Sequence, residues 1–214
     1  GMNTFNVALA ARAFLFFSYP ESMTGDKVWA ATDQICGLGY TLPDGFTMAT
    51  PLGEIAQGTA MNTSLSDMVV GLMPGSVGET SVIAIAIGAI ILIWTNIASW
   101  KTMLSVFAGG IVMALIFHSA GASPLQWYEH VVLGGFCFGA VFMATDPVTS
   151  ARTERGKWIY GFLVGVMAVI IRVLNPGYPE GMMLAILFGN MCAPLIDYCV
   201  VQSNINKRAK RAKM

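Results

Sequence analysis

The chain has 214 residues, 55% of them hydrophobic and 11% charged, with twelve Lys and Arg balancing twelve Asp and Glu. A soluble domain carries roughly a quarter charged residues, so this composition excludes a water-soluble enzyme and predicts a membrane protein. The zero net charge hides a segregation: the basic residues gather in a C-terminal tail and one loop, a pattern that orients a membrane chain rather than one that grips nucleic acid.

The first apolar run, Asn3–Tyr19, predicts a short span. Asn3 and Asn6 stand three apart and so share a face of that helix. Two carboxamides suit a neutral heteroaromatic ring; helix-to-helix hydrogen bonds or an N-cap are the competing use. Arg12, mid-helix, requires a counter-charge or an acceptor-rich ligand such as a phosphate or a flavin carbonyl. The run lacks the basic n-region and small-residue cleavage site of a signal peptide.

Residues 20–80 hold seven of the twelve acidic residues, a single basic one, Lys27, and no full-length apolar run. Within them Asp44-Gly-Phe-Thr-Met-Ala-Thr50, followed by Pro51-Leu52, is a polar turn that displays a hydroxyl beside apolar walls. Farther on, Gly71–Ser81 carries three glycines and Pro74, which predicts a re-entrant turn. Its hydroxyls and backbone N–H groups suit a phosphate; a capping sequence with Glu79 in the first helical turn is the alternative.

Five longer runs follow, at Ser81–Ser99, Met103–His118, His130–Thr145, Trp158–Leu174 and Met182–Val201. Each is about long enough to cross a hydrocarbon core of about 30 Å, and the short loops between them predict one bundle with antiparallel sequence neighbours. His118 and His130 read as interfacial residues flanking an outer loop, and no Ser-His-Asp set or helical histidine pair is present. Asp146-Pro147 stops a helix on the inner side. Arg172, near the outer end of its span, reads as snorkelling to the interface. Asp197 lies mid-span one turn after Pro194, which frees a backbone carbonyl; such an oxygen-rich corner suits sodium or a proton. Cys36, Cys137, Cys192 and Cys199 show no paired spacing and read as packing residues.

Lys101, the Arg152–Lys157 loop and the tail from Lys207 to Lys213 fall on one side when helices are counted, and the positive-inside rule makes that side cytoplasmic. The fold expected is one all-α, polytopic transmembrane bundle of about six spans. It comprises a first span at 1–19, an extracytoplasmic segment at 20–80 with a re-entrant loop, a five-helix bundle at 81–201 and a basic cytoplasmic tail at 202–214.

Six strings in order, Asn3-x-x-Asn6-x-Ala-Leu, Arg12-Ala-Phe-Leu-Phe-Phe-Ser-Tyr-Pro20, Asp44 to Leu52, Pro74-Gly-Ser-Val-Gly-Glu-Thr-Ser81, Phe142-Met-Ala-Thr-Asp-Pro-Val148 and Arg172-Val-Leu-Asn-Pro-Gly-Tyr-Pro-Glu-Gly-Met-Met-Leu-Ala-Ile-Leu187, together resemble the B subunit of the bacterial sodium-translocating NADH:quinone oxidoreductase. The resemblance covers essentially the whole chain. The D subunit of the Rnf complex, a ferredoxin:NAD oxidoreductase, is the nearest competitor, and a non-redox ion or solute transporter or a purely structural anchor are the alternatives outside the family.

The resemblance implies FMN on Thr50 through a phosphoester, installed by a flavin transferase, with Arg12, Gly78, Glu79 and Thr80 among the flavin surroundings. It also implies a non-covalent riboflavin at Asn3 and Asn6, and sodium handling at Asp197. Electrons would come from the FMN of a neighbouring C subunit, pass through the Thr50 FMN to riboflavin and leave to ubiquinone or menaquinone, with sodium exported. It further implies a six-subunit complex in the bacterial inner membrane, with Thr50 on the periplasmic side and the C-terminus cytoplasmic. The family arrangement is an inverted repeat of which this sequence is expected to supply half, as a fragment. Val7 stands where the family has proline, and Met48 where it has glycine.

Overall fold

The computed structural model describes residues 3–19, 50–56, 64–73, 75, 78–175 and 177–212. Among these the secondary structure is helical, with no strand element. In chain order the helices are α1 (Val7–Ser18), α2 (Pro51–Ala56), α3 (Leu65–Val70), α4 (Val82–Trp94), α5 (Trp100–Ser119), α6 (Trp127–Val132), α7 (Phe136–Phe138) running into a π-helical turn (Gly139–Met143), α8 (Glu154–Leu174) and α9 (Met182–Ala212). Three of them, α5, α8 and α9, are long and apolar enough to cross a membrane. The chain is thus a polytopic helical membrane protein.

The pair α5 and α8 forms the spine. Gly161 and Gly165 lie one turn apart on α8 and face Ser105, Val106 and Gly110 of α5, while Gly109 of α5 faces the backbone of Phe162. A Cβ built on Gly165 would stand 2.7 Å from the Gly110 nitrogen, and one on Gly161 would stand 2.7 Å from the Thr102 carbonyl oxygen. Small residues at such a spacing let two backbones touch, which is how helices gain packing contacts where lipid removes the hydrophobic drive. The Ser105 hydroxyl closes the seam, donating to Thr102 O at 3.0 Å or Lys157 O at 3.3 Å.

On its other side α8 receives α9. Tyr160 and Val164 crowd Gly189, and the buried Tyr160 hydroxyl donates to Asn190 Oδ1 at 2.9 Å. The main core gathers Val106, Ala114, Phe136, Ala140, Tyr160, Val164, Ala168, Met182, Met183 and Ile186 from α5, the α7 region, α8 and α9. Leu9 joins it from α1. By contrast α4 buries only Ile85 and exposes Ile83, Ile87, Ile90, Ile91, Ile93 and Trp94, as a helix facing lipid does.

Three expected spans differ in form. The first is Val7–Ser18, because Asn6 caps the helix instead of lying within it. The second ends at Trp94, where Thr95 and Asn96 turn the chain, Asn96 with φ 56°; its 13 residues reach about 20 Å at 1.5 Å per residue. The third, His130–Thr145, is broken: Leu133 is extended and Gly134 has φ 64°, a backbone that glycine takes without strain. The basic tail expected at 202–214 continues α9 as helix to Ala212.

Replacing Gly165 by Val is expected to lower stability by about 1–3 kcal/mol, because the seam admits no side chain. Ala108→Leu, on the exposed face of α5, should change it by about 0.5 kcal/mol or less. Thermal unfolding of the detergent-solubilised variants measures both.

Candidate functional site

A helix that breaks inside a membrane leaves carbonyl groups that lipid cannot satisfy. Here α6 ends at Val132 and its last carbonyls are met by one side chain from α8. Arg172 donates through one terminal nitrogen to His130 O at 2.5 Å, and through the other to Leu133 O at 3.2 Å and Glu180 O at 3.3 Å. Arg172 is buried, 6% exposed. It therefore does not snorkel, because the helix end offers its cation nearer partners than the interface does.

Next to that break a Cβ on Gly135 would lie 2.5 Å from Glu180 Oε1 and 3.0 Å from Glu79 Oε2. Gly135 thus lets two carboxylates approach the backbone, while Gly134 makes room for Leu52. Glu180 is held by Arg12, at 3.1 Å, and by the Tyr178 hydroxyl, which donates at 3.2 Å. Burial, followed by the charge of Glu180, pushes the Tyr178 phenol above its ordinary range. Phe16 stacks edge-on against Tyr178 at 4.9 Å, so an ion pair and a ring contact add to the burial of Leu9 in docking α1. Of the two uses expected for Arg12, the structure fills the counter-charge.

Glu79 joins this cluster from the loop before α4, whose N-cap is Ser81. Glu79 accordingly precedes the first helical turn. Thr80 is half-buried and packs toward Gly75, and Gly78 is exposed with φ 90°. Pro74, Ser76 and Val77 of the expected re-entrant turn lie outside the described residues.

Thr50 is the N-cap of α2. Its Oγ1 accepts from Gly53 N at 3.2 Å, and Pro51 opens the helix at the position where no N–H is needed. Asp44 to Ala49, Met48 among them, lie outside the described residues. Leu52 packs with Met68, Met73, Leu125 and Leu133, tying α2 to the broken helix. Between them is a cavity of about 250 Å³ walled by Leu52, Ile55, Ser123, His130, Arg172 and Pro179, among others. His130, expected at the interface, is fully buried because α6 turns inward, whereas His118 is exposed at the end of α5. Its Nε2 shares a hydrogen bond with Ser123 Oγ at 3.0 Å. His130 Nδ1 and Arg172 Nε are buried without a partner among the described residues.

Of the remaining expected residues, Asp197 meets the start of α8, about 28 Å from Arg172 by helical rise, while Asn6 lies six residues before Arg12 on α1, about 9 Å by the same rise. Asn6 Oδ1 accepts from Ala8 N and Leu9 N at 3.0 and 3.3 Å, and its Nδ2 donates to Asp146 at 3.5 Å. Asn3 precedes the helix and is exposed, so the two carboxamides do not share a helix face. Asp197 is not an unpaired carboxylate: Oδ2 accepts from Arg152 N at 2.8 Å, and Oδ1 from Thr153 N and Thr153 Oγ1 at 3.0 and 2.6 Å. Thr153 in turn caps α8 through Gly156 N at 3.1 Å. Glu154 bridges Lys101 and Lys157 at the same end. Of the described cysteines, Cys137 is buried in the core, while Cys199 is exposed.

The structure therefore brings Arg12 and Glu79 together, beside the α2 helix that Thr50 caps, and places Asn6 against Asp146 and Asp197 against the start of α8. Sequence reasoning missed His130, Tyr178 and Glu180 as members of the first group; the adjacent glycines Gly134 and Gly135 inside an apolar run were the available signal.

Residues 1–206 match a family described as NQR2, RnfD, RnfE. The chain is 50% identical over 220 residues to the B subunit of the Na(+)-translocating NADH-quinone reductase of Chromohalobacter salexigens, covering 99% of this chain and 51% of that protein. It is 48% identical to the protein of that name from Klebsiella pneumoniae and 50% identical to that of Stutzerimonas stutzeri, in each case over 99% of this chain and 52% of the relative. The chain thus spans about half the length of these relatives.

Arg172→Met is expected to cost about 3 kcal/mol or more, since it strands buried carbonyl oxygens at the helix break. Arg172→Lys should recover only part of this, because an ammonium lacks the fork that reaches several carbonyls. Denaturant unfolding in mixed micelles compares the two.

Proposed function

Since the chain belongs to the NQR2, RnfD, RnfE family, we propose that it acts as membrane-embedded sequence of the B subunit of a sodium-translocating NADH:quinone reductase, with FMN esterified to Thr50. The relatives named above at about 50% identity favour that B subunit over the Rnf proteins that share the family. One observation carries the flavin assignment. The Thr50 oxygen acts as an acceptor toward Gly53, so exchanging its proton for phosphorus leaves the cap in place, and the hydroxyl is half-buried rather than lost in the core.

The residues around α2 fit such a group. Buried polar atoms are normally paired, yet His130 Nδ1 and Arg172 Nε have no partner among the described residues, and both side chains line the cavity that α2 overhangs. When bound, FMN supplies electron acceptance and donation that no side chain here offers. What this chain contributes is a fixed attachment point, an apolar wall at Leu52 and Ile55, and a cation at Arg172.

At the start of α1, riboflavin would sit beside Asn3 and Asn6. Asn6 keeps one amide proton beyond its capping and Asp146 bonds. Sodium at Asp197 would take the place of Thr153 and Arg152 on the carboxylate, so ion entry and loosening of the loop before α8 would go together. The basic groups around this end, Lys101, Lys157 and the α9 extension, support a cytoplasmic location for it and a periplasmic one for Thr50, in a bacterial inner membrane. The redox drop from NADH to quinone would supply the free energy for sodium export, each charge moved against the membrane potential costing about 2.3 kcal/mol per 100 mV. The electron source would be the FMN-bearing C subunit of the complex and the acceptor a quinone.

Co-expressed with a flavin transferase and run on a denaturing gel, the chain is expected to give a fluorescent band that Thr50→Val abolishes. A dark wild-type band, with a known flavinylated protein bright in the same cells, would overturn the assignment.

A further inference from the structure

Where α8 begins, it and α9 leave an open groove of about 460 Å³ between them. The floor is apolar, from Ile159 on α8 and Leu195, Ile196 and Val200 on α9, and Arg155 joins the wall from the first turn of α8. Cys199 and Ser203 line this groove and also a second depression, which continues along α9 to Lys207 and Lys210. The two form one path, apolar toward the bundle and basic beyond it, and no carboxylate lines either part.

The cations at this end are of two kinds. Lys101 and Lys157 share Glu154, whereas Arg155, Lys207 and Lys210 form no ion pair among the described residues. On a helix the Cα–Cβ bonds tilt toward the N-terminus, so Lys207 and Lys210 lean back toward Ser203 and the groove. Trp100, Trp158 and Tyr198 are exposed at the same level, and such rings gather where hydrocarbon meets headgroups. We infer that the groove holds an anionic phospholipid, one acyl chain lying on Ile159, Leu195 and Ile196 and the phosphate meeting Arg155 and Lys207. Cations without carboxylate partners favour an anionic headgroup over a zwitterionic one, and the apolar floor favours a lipid over a free phosphate. Arg155 lies two residues beyond Thr153, which bonds Asp197 of α9. An occupied groove is thus a second tie between the start of α8 and α9.

The chain in mild detergent is equilibrated with equal amounts of phosphatidylglycerol and phosphatidylcholine, and native mass spectrometry counts the lipid retained. The wild type is expected to keep phosphatidylglycerol several-fold over phosphatidylcholine. Arg155→Gln and Lys207→Gln should each cut that preference several-fold, while Arg208→Gln, which removes the same charge about 140° around α9 from Ser203, leaves it unchanged. Ile159→Trp fills the apolar floor without altering charge and should lower phosphatidylglycerol retention several-fold. All four positions are exposed, so the substitutions leave the core intact. Equal retention of the two lipids by the wild type, a loss from Arg208→Gln matching that from Arg155→Gln, or full retention by Ile159→Trp overturns the site. A lipid-free dimer overturns it as well, by placing a second copy over the groove.

Discussion

A backbone carbonyl inside a membrane must find a donor within the protein, and the structure around α6 is arranged by that requirement. Arg172 answers for His130 and Leu133 at once and reaches on to Glu180, so one guanidinium joins the broken helix, α8 and the turn into α9. Remove it, and the extended Leu133 and the glycine pair lose the reason to stay open. Because the break stays open, Gly135 can lie against Glu79 and Glu180, and Glu180 can anchor α1 through Arg12.

The two ends of the bundle use polar groups differently. At the Asp197 end the bonds are local accommodations to loop geometry: a carboxylate satisfied by two amides and a hydroxyl, a cap on α8, a lysine pair sharing Glu154. At the Arg172 end, polar side chains with unpartnered nitrogens crowd a cavity below a short helix. A protein that only needed to stay folded would gain by filling that space with apolar side chains.

Apolar runs made α5, α8 and α9 legible in the sequence, since length and composition alone decide whether a helix can cross lipid. Thr50 ahead of Pro51 stood out in the sequence against apolar neighbours, and the structure makes it the cap of α2. The break after Val132 was not: Gly134 and Gly135 read like the packing glycines that membrane helices use freely, and the same residue type does serve as packing at Gly161 and Gly165. The partners of Arg12 and Arg172 were equally hidden. Arg12 is 168 residues from Glu180, a pairing that follows from how α1 lies on the bundle and not from any local pattern. His130 was misplaced for a related reason: a histidine at the head of an apolar run sits at the interface only if the run is straight.

The last helix has a mechanical consequence. Its 31 residues extend about 46 Å at 1.5 Å per residue, well beyond a hydrocarbon core of about 30 Å. Lys207, Arg208, Lys210 and Arg211 are consequently carried beyond the hydrocarbon core on the helix that starts beside Gly181 and Glu180. Pro194 removes one bond of that helix's ladder, so the charged end has a defined point about which it can bend relative to the bundle.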